Sequence, residues 1–95
     1  MSLATIIEEH RNEILEIARR NGATNVRVFG SVARGEDDGE SDVDILCEMH
    51  EGSLLDLARF QRQLAEALQI RVDVVTERGL RPRVRETVLS EARPL

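Results

Sequence analysis

Asp42 and Asp44 stand two residues apart in the segment Ser41-Asp-Val-Asp-Ile-Leu46. In an extended strand this spacing puts both side chains on one face, with alpha carbons about 6.6 Å apart at about 3.3 Å rise per residue. Val43, Ile45 and Cys47 then point the other way, into a core. Asp73 repeats the arrangement in Arg71-Val-Asp-Val-Val75, with Val72 and Val74 opposite it, so its carboxylate joins the pair if the two strands are neighbours. A single strand aspartate is read most simply as facing water. Three on one sheet face repel one another unless a cation neutralises them, and a donor set made only of carboxylate oxygens suits a hard divalent ion such as magnesium. Two such ions roughly 4 Å apart can hold a triphosphate and an attacking hydroxyl and stabilise both the entering and the leaving oxygen of an in-line displacement. The chemistry this points to is phosphoryl or nucleotidyl transfer.

Gly30-Ser31 follows a short apolar strand and opens a helix. Backbone amides and positive helix ends at such turns hold phosphates, glycine lets the chain come close, and Ser31 adds a hydroxyl. Arg34 is within reach of a triphosphate held there and is equally placed to pair with Glu36, Asp37 or Asp38. The acidic run from Glu36 to Glu40 lacks the EF-hand spacing and is expected to be a solvated loop near the site. Glu48 shares the face of Asp44 but lies four residues further on, and is expected to face solvent. His10 and His50 have no nucleophile or ligand set nearby in sequence and read as structural. Cys47, facing the core by strand parity, reads as a small buried hydrophobe.

The elements that position these residues follow from periodicity. Leu3, Ile6, Ile7, His10, Ile14, Ile17 and Ala18 recur at helical spacing, which predicts one helix from about 3 to 20, capped by Ser2 or by a Thr5/Glu8 box and stopped by Asn21-Gly22. Strands are expected at 25–29, 42–48 and 70–76. A second long helix begins after Ser53 with the stripe Leu54, Leu57, Ala58, Gln61, Leu64, Ala65 and Leu68. Phe60 falls off that stripe, as a partly covered ring or a docking contact. Pro82 opens a last helix with a thin seam of Leu80, Val84 and Val88. Residues 78–95 carry five Arg against two Glu, either a solvated basic face or a surface for phosphates or a partner. The resulting order α-β-α-β-α-β-α predicts an α+β fold, a single domain over residues 1–95. Its small mixed sheet would have helices packed mainly on one face and the other face free.

Composition narrows the function. All 13 basic residues are Arg, so neither a Walker A lysine nor a Schiff-base nucleophile is available. One Cys and two separated His cannot build a structural zinc site, and the lone Cys suits a reducing compartment. The net charge of −5 argues against direct nucleic-acid binding, and with Phe29 and Phe60 as the only aromatics there is no base-stacking platform. No apolar run reaches membrane-spanning length, and Glu8 and Glu9 do not suit a secretory leader. A cytoplasmic protein with no membrane partner is expected.

Gly30-Ser31, ten intervening residues and then Asp42-Val-Asp44 match the signature of the polymerase-beta-like nucleotidyltransferases. The longer string Phe29-Gly-Ser-Val-Ala-Arg-Gly35, followed by Ser41-Asp-Val-Asp-Ile-Leu46, closely resembles the minimal nucleotidyltransferase proteins that act as antitoxins of HEPN-domain toxins. The leading helix, the Val-Asp-Val-Val strand and the Arg-rich last helix also fall where that family has them. The resemblance implies that Asp42 and Asp44 are the metal-binding pair and Asp73 the third, catalytic carboxylate. Gly30 and Ser31 would then form the triphosphate turn, with Arg34 beside it. It further implies two Mg2+ ions, ATP as substrate, and transfer of AMP to a tyrosine of a helical HEPN-type toxin in a hetero-oligomer. Tyr is absent from this chain, so it cannot be its own tyrosine substrate. With one helix after Asp73, acceptor recognition is expected to come from another chain. Two other readings stay open on the residues alone: the catalytic half of an antibiotic-type nucleotidyltransferase completed by a helical subunit, and a non-catalytic antitoxin that neutralises by covering its target.

Overall fold

The amino-terminal apolar stripe forms two helices where the periodicity predicts one. In the computed structural model, which describes residues 2–50 and 53–95, α1 (Leu3–Glu9) and α2 (Arg11–Arg20) meet at His10, whose backbone leaves the helical region. His10 Nδ1 lies 2.8 Å from the Ile6 carbonyl oxygen, and a side chain that satisfies a terminal carbonyl favours ending the helix there. Ser2 caps α1, its Oγ accepting the Thr5 N–H at 3.2 Å. Asn21 and Gly22 stop α2 as expected. Asn21 is buried, and its Nδ2 donates to the Ile17 carbonyl at 2.9 Å and to Gln63 Oε1 at 2.7 Å, fastening α2 to the second long helix.

After α2 come β1 (Thr24–Phe29), α3 (Gly30–Arg34), β2 (Val43–Glu48), α4 (Leu54–Leu68), β3 (Val72–Thr76), a 3-10 turn at Glu77–Gly79, α5 (Pro82–Glu91) and β4 (Arg93–Pro94). The sheet order is β3-β2-β1-β4, with β2 parallel to β3 and the other pairs antiparallel, so the sheet is mixed as the element order requires. Register between β1 and β2 slips near Asn25, a residue at φ 50°, which marks a bulge. The two-residue β4 was not expected. It contains Pro94 at the sheet edge, where a missing N–H is tolerated, and Leu95 N–H donates to the Val26 carbonyl at 3.1 Å.

One face of the sheet carries Val26, Val28, Val43, Ile45, Cys47, Val72 and Val74 into a core shared with Ile14, Ile17, Phe60, Leu64 and Leu68 of α2 and α4. Here Phe60 corrects the sequence reading. It is fully buried, in line with Leu64 and Leu68 four and eight residues on, while Leu54 and Ala58 are exposed. The stripe turns by about one position along α4 because the ring, the largest side chain available, takes the core volume. Gln61 Oε1 accepts the Val74 N–H at 2.9 Å and holds α4 over β3.

The opposite face is not free along its whole length. Leu46, on the same side as Asp44 by strand parity, is 0% exposed, and Arg27 beside it is 9% exposed. Arg27 Nη2 lies 3.4 Å from Glu77 Oε2, and Arg85 Nη1 of α5 donates to the Glu77 carbonyl at 2.8 Å. These contacts tie the 3-10 turn and α5 to that end of the sheet, leaving the Asp44 end open. Among the described residues, no helix is long and apolar enough to cross a membrane.

Candidate active site

The open end of the sheet is built around the turn that follows β1. β1 ends at Phe29, the register partner of Asp44, and the chain turns at once into α3 through Gly30 at φ +76°. A β carbon at Gly30 would collide with Asp44 Oδ2. Both the left-handed backbone and the approach of the carboxylate therefore require glycine at this position. Ser31 follows in the first turn of α3, partly buried, and its carbonyl accepts the Glu36 N–H at 2.9 Å. Gly35, at φ 73°, closes α3 in the left-handed conformation.

β2 and β3 run parallel with Asp44 directly opposite Asp73, as the matching strand patterns predict. Burial pushes the Asp44 carboxyl up to about 6, and the charges of Asp73 and then Asp42 push it the same way, against a smaller opposing pull from Arg34. The three aspartates thus share one electrostatic neighbourhood. Asp42 sits just before β2 rather than in it, exposed, with Oδ1 3.0 Å from Arg71 Nε. Arg34 is likewise engaged, with Nη1 3.0 Å from Glu91 Oε1 of α5 and Nε 3.2 Å from Glu36 Oε1.

An oxygen-only donor set on a rigid strand pair fits a hard cation in type. The raised Asp44 carboxyl fits it as well, since a cation would relieve both the burial and the repulsion. Among the described residues no three acidic, His or Cys side chains converge into a ready-made cage. Magnesium usually takes one or two carboxylates together with substrate phosphates and water, so a divided set of aspartates suits it.

The other sequence candidates fall outside this end. Cys47 is buried in the core, and burial pushes its thiol up to about 11. His10 serves the helix junction. Glu48 is exposed, as expected, and its carboxylate accepts from Asn25 Nδ2 at 3.5 Å near Glu77. The acidic loop is folded back on itself. Asp38 Oδ1 accepts from the Glu40 N–H at 2.9 Å and from Ser41 Oγ at 3.1 Å, and Asp37 Oδ2 accepts from the Leu3 N–H at 3.4 Å. Sequence reasoning missed Arg71 and Glu91 as neighbours of the site. Strand parity with Asp73 could have flagged Arg71; nothing local flags Glu91.

With this geometry in place, similarity to known proteins is specific. Residues 7–95 match the nucleotidyltransferase domain, and the chain belongs to that family. Within it the chain groups with the minimal nucleotidyltransferases. A solved structure described as a candidate minimal nucleotidyltransferase superposes with a TM-score of 0.86 at 52% identity, covering 100% of this chain and 97% of the other. In sequence the chain is 41% identical over 87 residues to a candidate protein adenylyltransferase of Methanocaldococcus jannaschii, covering 90% of this chain and 94% of that protein. It is 38% identical over 90 residues to the protein adenylyltransferase MntA of Thermococcus cleftensis, covering 94% and 88%. Two toxin-antitoxin complexes share the fold. One contains AMP-PNP, with a TM-score of 0.75 at 24% identity over 87% of this chain and 69% of the other. The second joins a tri-AMPylated HEPN toxin of Shewanella oneidensis to an MNT antitoxin, with a TM-score of 0.70 at 21% identity over 92% and 69%.

Proposed function

We propose that this chain transfers AMP from ATP to a hydroxyl, a tyrosine side chain, of a helical HEPN-type toxin, and so acts as that toxin's antitoxin in a cytoplasmic hetero-oligomer. The observation that carries the reading is the facing pair Asp44 and Asp73, which no ion pair among the described residues neutralises, set against the Gly30-Ser31 turn. Relatives named protein adenylyltransferases support the reaction. The complexes with AMP-PNP and with an AMPylated HEPN toxin support the substrate and the partner class.

In the proposed reaction the acceptor oxygen bonds to the α-phosphorus of ATP, the bond to pyrophosphate breaks, and the hydroxyl proton leaves. Asp73, exposed on β3 opposite Asp44, is the base that receives it. Gly30 lets the backbone of the turn approach the triphosphate, and the Ser31 hydroxyl and amides of that turn orient it. Arg34 contributes charge once a triphosphate competes with Glu36 and Glu91 for its guanidinium. Magnesium ions, held by Asp42, Asp44 and Asp73, would neutralise the triphosphate and the charge that develops during transfer.

The test is incubation of the protein with ATP labelled at the α-phosphate, magnesium and a purified HEPN-type partner encoded beside it. The reading expects label on the partner and, by mass spectrometry, AMP on a tyrosine. A partner that is fully inhibited yet unmodified would contradict it.

A further inference from the structure

Asp42, Asp44 and Asp73 share one end of the sheet, yet among the described residues only Asp42 carries an ion pair. Its partner Arg71 holds the same stretch of chain at three points. Arg71 Nε meets Asp42 Oδ1 at 3.0 Å, Nη2 donates to the Glu40 carbonyl at 2.9 Å, and the Arg71 carbonyl accepts the Val43 N–H at 3.0 Å. Arg71 also has the strand parity of Asp73, so its guanidinium rises on the face of the carboxylates. The side chains of Arg71 and Asp42 are 78% and 53% exposed. A buried pair would lock Asp42, whereas a pair this exposed is weak and readily exchanged.

We propose that Arg71 is the resident counter-ion of Asp42, displaced when a divalent cation takes that carboxylate, and that it sets how much metal the site needs in order to load. The proposal rests on the metal-dependent nucleotide reading above and adds to it a positioning residue. In the unloaded protein Arg71 neutralises Asp42 and keeps its carboxylate turned toward the start of β3. That leaves Asp44 and Asp73 as the uncompensated pair, so loading draws Asp42 away from Arg71. A doubly charged ion shared with phosphates outcompetes a single exposed guanidinium, and the competition raises the metal concentration required by a modest factor.

The test follows the Arg71 Nε–H resonance, assigned by its loss in R71K, while the protein is titrated with AMP-PNP in magnesium or in chelator. With magnesium, the Asp44 backbone amide moves, and the Arg71 signal shifts with the same midpoint toward that of an unpaired arginine such as Arg81. In chelator the Arg71 signal stays. R71Q lowers the magnesium concentration for half-maximal AMP-PNP binding by about two- to five-fold, the range expected for removing an exposed pair. An Arg71 signal that stays put while the Asp44 amide moves overturns the exchange. So does an R71Q protein with an unchanged or higher magnesium requirement. If the Asp44 amide moves in neither arm, the metal-nucleotide reading itself fails and the exchange fails with it.

Discussion

β2, and β3 with the 3-10 turn that follows it, carry two acid pairs four residues apart, and the chain treats them in opposite ways. At one end Asp44 faces Asp73 with Asp42 nearby, and the Asp44 carboxyl is pushed up to about 6. At the other end Glu48 approaches Glu77, where Arg27 and Arg85 close in at 3.4 and 4.0 Å. The contact with Glu48, and after it the charges of Arg27 and Arg85, hold the Glu77 carboxyl below the usual range. The strands and the residue class are the same, so the difference lies in whether the chain supplies the counter-charge. Where it does, the acids clamp a turn and α5 to the sheet. Where it does not, the acids sit beside a glycine turn that lets the Asp44 carboxylate come close to the backbone, an arrangement that suits a metal-nucleotide site.

The largest expected effect strikes the uncompensated end. D44A removes a carboxylate from the centre of the acidic set, and transfer to the partner should fall by roughly 10³-fold or more, as the loss of several kcal/mol of metal-assisted stabilisation implies. D73N should retain most nucleotide binding and lose transfer by roughly 10²-fold or more, the scale of a lost general base. Single-turnover transfer rates beside calorimetric ATP affinities measure both, and a D73N protein that labels its partner at the wild-type rate would remove Asp73 from the site.

R27M tests the compensated end. It leaves Glu77 facing a covered surface without its nearer cation, so urea denaturation should show roughly 1–3 kcal/mol less stability, while the ATP affinity of the folded protein stays near wild type. A protein with unchanged stability would mean that the Arg27–Glu77 contact clamps nothing.

The smallest effect is a pH dependence. The Asp44 carboxyl lies at about 6 in the fold against an ordinary 3.8. The folded state therefore binds this proton more tightly than the unfolded chain does. Asp44 contributes stability that is full below pH 3.8 and lost as pH rises through 6. D44N has no such titration. In chelator it should melt at a higher temperature than wild type at pH 7, and the gain should shrink as pH falls through 6 and vanish near 4. Solvent screening keeps the gain small at this half-buried position. Equal melting temperatures at pH 7 would show that burial and repulsion of the Asp44 charge cost the fold nothing.

Sequence made the site more legible than its surroundings. Period-two alternation around Asp44 and Asp73 fixes their faces, though not that of Asp42, which lies just before β2, and the strand-to-helix turn explains why Gly30 precedes Ser31. Both are local rules, and the register between β2 and β3 only had to join them. Phe60 was misplaced because the phase of a helical stripe drifts when one bulky ring takes the core. The covered half of the outer face was missed because Arg27, Glu77 and Arg85 meet across 58 residues of chain, and no local pattern announces that contact. β4 has two residues, one of them a proline, too little for a strand pattern to register.

The central claim is that the uncompensated aspartates wait for a cation that arrives with the nucleotide. Calorimetric titration of ATP into the protein, with magnesium in one series and chelator in the other, tests it most directly. The account predicts much tighter binding with magnesium, and loss of that difference in D44A. Equal affinities in the two series would contradict a metal-bridged triphosphate at this end of the sheet.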